Sequence, residues 1–212
     1  MPNVLDTANA LVSLEDFKAY LANDANDEIR NDTTNDADFE RIINAVSHFF
    51  NGRTGRKLLA RENTEYYDGD GKRVLRLDNW PVVSTAAEIA LYSDPDRAYG
   101  ADTKIASDAI IIYPAMGKIV LSGAYFATGE QATKVVYTAG YAISGTVTIP
   151  WDLALAVRMM GSVLWKHQKD KVSGLASVSI GGASITLIEE LMPKFVEDVL
   201  WRETNVRGRR SA

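Results

Sequence analysis

"YYDGDGKRVLRL", running from Tyr66 to Leu77, sets two Asp-Gly pairs back to back between apolar residues. It is either a cation-binding loop or a turn. A calcium loop of the EF-hand kind takes oxygen ligands at its first, third and fifth positions, glycine at the sixth and glutamate at the twelfth. Counted from Asp68, the fifth position is Lys72, the sixth Arg73 and the twelfth Asn79. A cation stands where a ligand belongs and the closing glutamate is missing. Asp-Gly instead supplies the positive φ angles of tight turns. Tyr66 and Tyr67 before it, and Val74, Leu75 and Leu77 after it, favour strand. The stretch therefore predicts a β-hairpin, and its function is architectural.

Strand patterning extends outward from this point. Runs at 63–68, 73–77, 82–92, 104–113, 117–122 and 132–138 are separated by turn residues at Asp68–Gly71, Asn79–Pro81, Asp94–Asp96, Pro114–Gly117 and Thr128–Gly129. Short strands at this spacing predict a small antiparallel sheet or sandwich. Pro81 is expected at a strand's first edge position, where its missing N–H costs little.

Helical periodicity flanks this block on both sides. "SLEDFKAYLA" opens with Ser13 and has Asp16 three positions on, approximating a capping box, with Leu14, Phe17, Tyr20 and Leu21 as a stripe. The Asn- and Asp-rich run after it reads as a loop with at most a brief helical turn. A second helix spans about Asp36 to Thr54, capped by Asp36 or Asp38, with Phe39, Ile42, Ile43, Val46, Phe49 and Phe50 facing the core and Gly55 ending it. A third starts after Pro150 and buries Leu153, Val157, Met160 and Leu164. "VSGLASVSIGGASITL", 172–187, is a two-stranded excursion or a loop. A last helix follows Pro193 with Phe195, Val199 and Trp201 or Arg202 on successive turns. The predicted fold class is α+β: a helical core of about four helices, residues 1–56 and 145–212, with an inserted antiparallel β-rich subdomain at 57–144.

Composition bounds the function. The 212 residues are 46 % hydrophobic and 24 % charged with a net charge of −5, which argues against bulk nucleic-acid binding. The absence of cysteine excludes disulfides, thiolate metal sites and cysteine nucleophiles. "MPNVLDTANALVSLEDF" lacks a basic n-region and a long apolar run, so no signal peptide is expected, and no stretch is long enough to span a bilayer. His48 and His167 have no H-x-x-x-H partner and read as structural. No nucleophile elbow, Walker A or dinucleotide fingerprint is present, and Glu15-Asp16 and Glu189-Glu190 read as solvated helix-end charges. No enzyme activity, cofactor or metal is expected. Charge is uneven: nine acids against three bases lie between Glu15 and Arg41, while the chain closes on "NVRGRRSA". Trp80, Trp151, Trp165 and Trp201 are core or interface anchors, with Trp201, just before the basic tail, favoured for an interface.

Five pieces taken together carry a resemblance. "LVSLEDFKAYL", "ERIINAVSHFFNGRTGRKL", "YYDGDGKRVLRLDNWPVVS", "KVVYTAGYA" with "IPWDLALAVRMMGSVLWKH", and "SVSIGGASITL" resemble, in that order, segments of the head–tail connector (adaptor) proteins of tailed phages. Residues 92–131 have no counterpart in the pattern, and the closing "ETNVRGRR" is longer than a simple helix end. The resemblance implies a structural protein of the virion's head–tail junction, assembled in the host cytoplasm. It implies a ring of about twelve copies under the portal, built on heterologous contacts. That ring would extend the channel for packaged DNA, without sequence-specific binding, and dock the stopper, head-completion or tail protein. On this basis Phe195, Trp201, Arg202, Arg207, Arg209 and Arg210 are the expected portal interface, with Trp201 in an apolar pocket and the tail arginines on carboxylates. Ser179, Gly181, Gly182 and Ser184 are the expected channel-facing or inter-subunit loop, since small residues permit close approach. The other reading is a β-rich recognition or adhesin module of a phage tail or baseplate, binding through 63–138.

Overall fold

A computed structural model describes residues 5–22, 28–143, 147–172 and 192–204. The chain divides into two compact units: residues 1–56 with 143–212, and residues 57–142. The class is α+β, as the periodicities predict.

The first unit is helical. Helix α1 (Leu14–Leu21) starts at Ser13, whose Oγ accepts a hydrogen bond from the Asp16 N–H at 3.0 Å. The short α2 (Glu28–Asn31) is the brief turn within the Asn/Asp-rich run. Helix α3 (Asp36–Thr54) ends as expected at Gly55, whose φ of 67° is the left-handed conformation. Its N-cap is Asn35 rather than Asp36 or Asp38, and no side chain caps it; Asp36 and Asp38 instead pair with Lys18 and Arg41. Helix α4 (Trp151–Val172) and helix α5 (Lys194–Glu203) are the unit's other helices among the described residues. Helices α1, α3 and α5 all pack on α4. Phe17 of α1 meets Phe39 of α3 edge-on at 5.7 Å, and Phe39 meets Trp165 of α4 at 4.8 Å. Ile42, Ile43, Val46, Phe50, Leu153, Val157 and Met160 fill the space around these rings. Phe49 and Leu164, expected in the core, are only half-buried, and Tyr20 of the α1 stripe is exposed. Lys18 is buried in Tyr20's stead because its ammonium reaches the Asp32 carbonyl and the Asp36 carboxylate, both at 2.7 Å.

Of the stripe expected on the last helix, only Val199 is buried. Val196, Val199 and Leu200 are buried, at i, i+3 and i+4, whereas Phe195 faces outward. The end of α5 is held by an ion pair between Glu203 and Arg56, whose side chain is fully enclosed. Ser173 to Leu191 and Asn205 to Ala212 lie outside the described residues, as do Ser179, Gly181, Gly182, Ser184, Arg207, Arg209 and Arg210.

The second unit holds two three-stranded antiparallel sheets. Strands β1 (Arg61–Asp70), β6 (Thr128–Ala139) and β3 (Ala90–Ser93) form one in the order β1-β6-β3. Strands β2 (Val74–Arg76), β5 (Lys118–Leu121) and β4 (Ile110–Tyr113) form the other in the order β2-β5-β4. The expected hairpin at Asp68–Gly71 is therefore not a hairpin: β1 and β2 belong to different sheets. Each Asp-Gly pair has its own task. At Asp68-Gly69 the register with β6 slips, the Asp68 carboxylate accepts the Gln131 N–H at 2.9 Å, and a Cβ on Gly69 would lie 1.6 Å from the Ala127 carbonyl oxygen. That bulge bends the strand out of its sheet. At Asp70-Gly71 the carboxylate accepts the Lys72 N–H at 3.0 Å and the chain crosses to the second sheet. The long strands expected at 82–92 and 104–113 shrink to the four-residue strands β3 (Ala90–Ser93) and β4 (Ile110–Tyr113). Turns and isolated bridges occupy the rest, since neither segment has a partner strand along its full length. Pro81 follows a cis peptide bond outside any strand.

The inner faces of both sheets share one core, including Tyr67, Leu75, Leu91, Ile119, Val135 and Tyr137. In "KVVYTAGYA", Val135, Tyr137 and Ala139 alternate inward, as period-2 patterning requires. The two inward tyrosine hydroxyls meet a polar network. The Glu65 carboxylate accepts from the Tyr67 hydroxyl and from Asn79 Nδ2 at 2.6 Å, and the Tyr137 hydroxyl donates to the Asn79 carbonyl at 3.2 Å. Burial, reinforced by the Glu65 carboxylate, pushes both hydroxyls well above the usual tyrosine range, so they stay protonated.

Asp94 organises the 94–99 turn, accepting the Asp96 N–H at 2.9 Å and the Tyr99 N–H at 2.7 Å. Burial pushes its carboxyl up, but the backbone N–H groups of Tyr99, Asp96, Ala98 and Arg97 outweigh it and hold the group below the usual carboxylate range. A depressed folded-state value means that its stabilisation is complete above the ordinary carboxylate pKa. It is lost as pH falls through the folded-state value. Asp94→Asn is expected to flatten the acid limb of the stability profile, read from unfolding midpoints between neutral and strongly acidic pH. An unchanged acid limb would contradict this role.

Candidate functional site

Pro150 ends the segment before α4, and Trp151 is the helix's first residue. A side chain there has no preceding turn to lie against, and Trp151 is 75 % exposed. About two helical turns later, the Arg158 guanidinium carbon lies 5.5 Å from the Trp151 ring and 5.8 Å from the Tyr20 ring of α1. Its Nε donates to the Ala154 carbonyl at 3.2 Å, which fixes the stem. Trp151 and Arg158 form the wall of a cleft of about 230 Å³. Leu11, Val12 and Ile149 line it, and Asp16 places a carboxylate on it. The cleft has an apolar lining and one group of each charge, a composition suited to an amphipathic segment of a protein partner.

The end of α5 reaches the same helix start. Arg202 donates to the Asp152 carboxylate at 2.8 Å, in a pair exposed enough to contribute less than about 1 kcal/mol. Its value is positional: it ties the Trp201 end of α5 to the Trp151 end of α4. Trp201 is 65 % exposed and Phe195, on the same helix, 38 %. Of the expected interface residues the structure thus brings Phe195, Trp201 and Arg202 to the surface, with Arg202 engaged by Asp152. From the sequence, Trp151 is one of four tryptophans open to core or interface, Tyr20 belongs to the α1 stripe, and Arg158 is unmarked. The residue after a helix-starting proline was the available signal for Trp151; no sequence signal marked the stacking of Arg158 between two rings from separate helices. Trp165, by contrast, is core, and Trp80 is half-buried in the second unit.

Among the described residues no group of histidine and carboxylate side chains is placed to hold a metal ion. His48 is exposed on α3, and among the described residues no helix is long and apolar enough to cross a membrane.

A helical unit presenting exposed aromatic anchors, joined in sequence to a two-sheet unit, suits a structural protein that works by contact. The family comparison agrees: the chain belongs to the head completion protein family, whose model matches residues 10–202. Among solved structures, the chain is similar to one in the neck of an empty gene transfer agent (GTA) particle computed with C6 symmetry. That likeness has a TM-score of 0.54 at 21 % identity and covers 89 % of this chain and 92 % of the other. It is similar to a chain of the native GTA virion (0.54, 18 %, covering 87 % and 90 %). A third similar chain is in the neck of a native GTA particle computed with C12 symmetry (0.52, 23 %, covering 87 % and 90 %). At these identities the likeness is one of fold. No curated protein matches the chain. The family assignment disfavours the adhesin alternative.

Proposed function

We propose that this protein forms a ring beneath the portal at the head–tail junction of a phage-like particle, assembled in the host cytoplasm. There it extends the channel for packaged DNA and docks the stopper or tail protein. The family match along nearly the whole chain carries this reading. A copy number of about twelve is supported by the C12 symmetry of the similar neck. The portal-facing surface is the α4–α5 end of the helical unit, where Trp151 and Trp201 supply anchors and the tail arginines Arg207, Arg209 and Arg210 supply cations for portal carboxylates. Ser179, Gly181, Gly182 and Ser184 are proposed to face the channel or the next subunit.

Co-sedimentation with the portal protein of the same genome, followed by particle images for symmetry, tests the role. The full chain is expected to form a stoichiometric ring on the portal. Ending the chain after Glu203 keeps the Arg56–Glu203 pair and so the fold, but is expected to lose most portal binding; Trp201→Ala is expected to weaken it by about 2 kcal/mol, a typical hot-spot loss. A truncated chain that assembles normally on portal would remove the tail from the interface. A chain that ignores the portal altogether would remove the connector reading.

A further inference from the structure

The outer face of the second sheet has an uncommon make-up for a solvated surface. Its strand register sets out two rows. Val74, Val120 and Ile111 stand opposite one another across β2, β5 and β4, and Arg76, Lys118 and Tyr113 stand opposite one another beside them. Val74, Ile111 and Tyr113 are exposed, although they are β-branched or aromatic. Strand alternation sends Leu75, Ile119 and Ile110 into the core and leaves these six positions outside, none of them acidic. One of the two cations is held in place: the Lys118 ammonium lies 3.8 Å from the centre of the Tyr113 ring. Beside the rows, the Arg73 guanidinium lies 4.5 Å from the Tyr125 ring and donates to its hydroxyl at 3.2 Å. An apolar centre bordered by fixed positive charge is the anatomy of a protein–protein patch that meets an acidic rim. Nucleic acid would want bases stacking on open rings. Here the rings of Tyr113 and Tyr125 already carry cations and the centre is aliphatic.

The chain itself supplies an acidic counterpart. Between Glu15 and Arg41 acids outnumber bases nine to three, and two of those three bases, Lys18 and Arg41, are committed to Asp36 and Asp38. Glu15 on α1 and Glu28 on α2 are exposed, on helices that pack together. The geometry points to a second copy of this chain as the occupant: the β2-β5-β4 face of one copy seats on the acidic α1–α2 surface of the next. Such a contact joins two different patches, so it is heterologous and generates a ring when the rotation closes. It rests on the connector reading and names the contact between copies that the reading requires.

The test measures ring formation by the full chain, alone and with portal, by sedimentation and particle imaging. R76E/K118E changes two outward side chains and leaves the core untouched; it is expected to cut the ring fraction by about tenfold or more, since like charges then face each other. Adding E15K/E28K to the same chain reverses the other side of every contact and is expected to restore rings. Rings from R76E/K118E at the wild-type level overturn this interface while leaving the connector role intact. Loss without restoration overturns the acidic surface as its partner. If wild-type chain forms no ring even with portal, the connector reading and this contact both fail. If R76E/K118E loses only retention on DNA–cellulose and keeps its rings, the face belongs to nucleic acid.

Discussion

Glu203→Gln is expected to destabilise the helical unit by about 3 kcal/mol, lowering its melting temperature by roughly 6–12 °C. Arg56 follows Gly55, the residue that ends α3, and its side chain is fully enclosed; Glu203 is the last residue of α5 and is mostly enclosed. Removing the carboxylate's charge leaves a guanidinium buried without its counter-charge, and that desolvation is the source of the loss. The pair itself contributes less than this figure, because forming it already cost the hydration of both ions. A double replacement, Arg56→Met with Glu203→Leu, is therefore expected to recover most of the stability. Thermal unfolding followed through Trp165, which lies in the core of this unit, reads the effect. A melting temperature unchanged by Glu203→Gln would show that Arg56 is satisfied by its other neighbours.

Gly161→Ala is expected to cost about 1–3 kcal/mol, although alanine is the better helix former by about 1 kcal/mol. A Cβ on Gly161 would lie 2.6 and 2.9 Å from the Phe17 ring carbons and 3.4 Å from a methyl of Ile42. Helix α4 approaches α1 and α3 closely only because this position has no side chain. Phe17 cannot retreat without losing its edge contact with Phe39, which in turn holds Trp165. Gly161→Leu is expected to prevent the unit from folding. Pairing Phe17→Leu with Gly161→Ala is expected to return part of the loss, because the smaller side chain vacates the contested space. Denaturant midpoints for the three variants check the coupling; strict additivity of the two single changes would rule out a shared steric cause.

The helices were legible because their determinants are local. Ser13 caps the N–H three residues on, Gly55 takes the left-handed conformation, and Ile42, Ile43 and Val46 fall on one face whatever packs against them. The β-rich class was legible for the same reason: alternation in "KVVYTA" and Asp-Gly turns are properties of short windows. Strand pairing was not. Tyr66 pairs with Lys134 and Val74 with Val120, separations over which the sequence carries no distance information, so the turn at Asp70-Gly71 looked like a hairpin when it joins two sheets. The resemblance of five ordered segments led to the connector class, and the family match covers the same span.

Within the interaction surface the division is similar. Composition and motif order marked the last helix as the proposed interface, and Phe195 near its start and Trp201 near its end are exposed. Which tryptophan is core and which is surface depended on the fold. Trp151 and Trp165 lie on one helix, yet Phe39 of α3 covers only Trp165. Arg158 lies between Tyr20 and Trp151 because α1 packs beside α4, and Arg202 is drawn to Asp152 because α5 does. Local rules of capping, periodicity and turn chemistry determined the elements from the sequence alone. Contacts between residues far apart in the chain exist only once the chain has paid its folding entropy, and those contacts, decided by tertiary packing, determined which side chains remain outside to meet a partner.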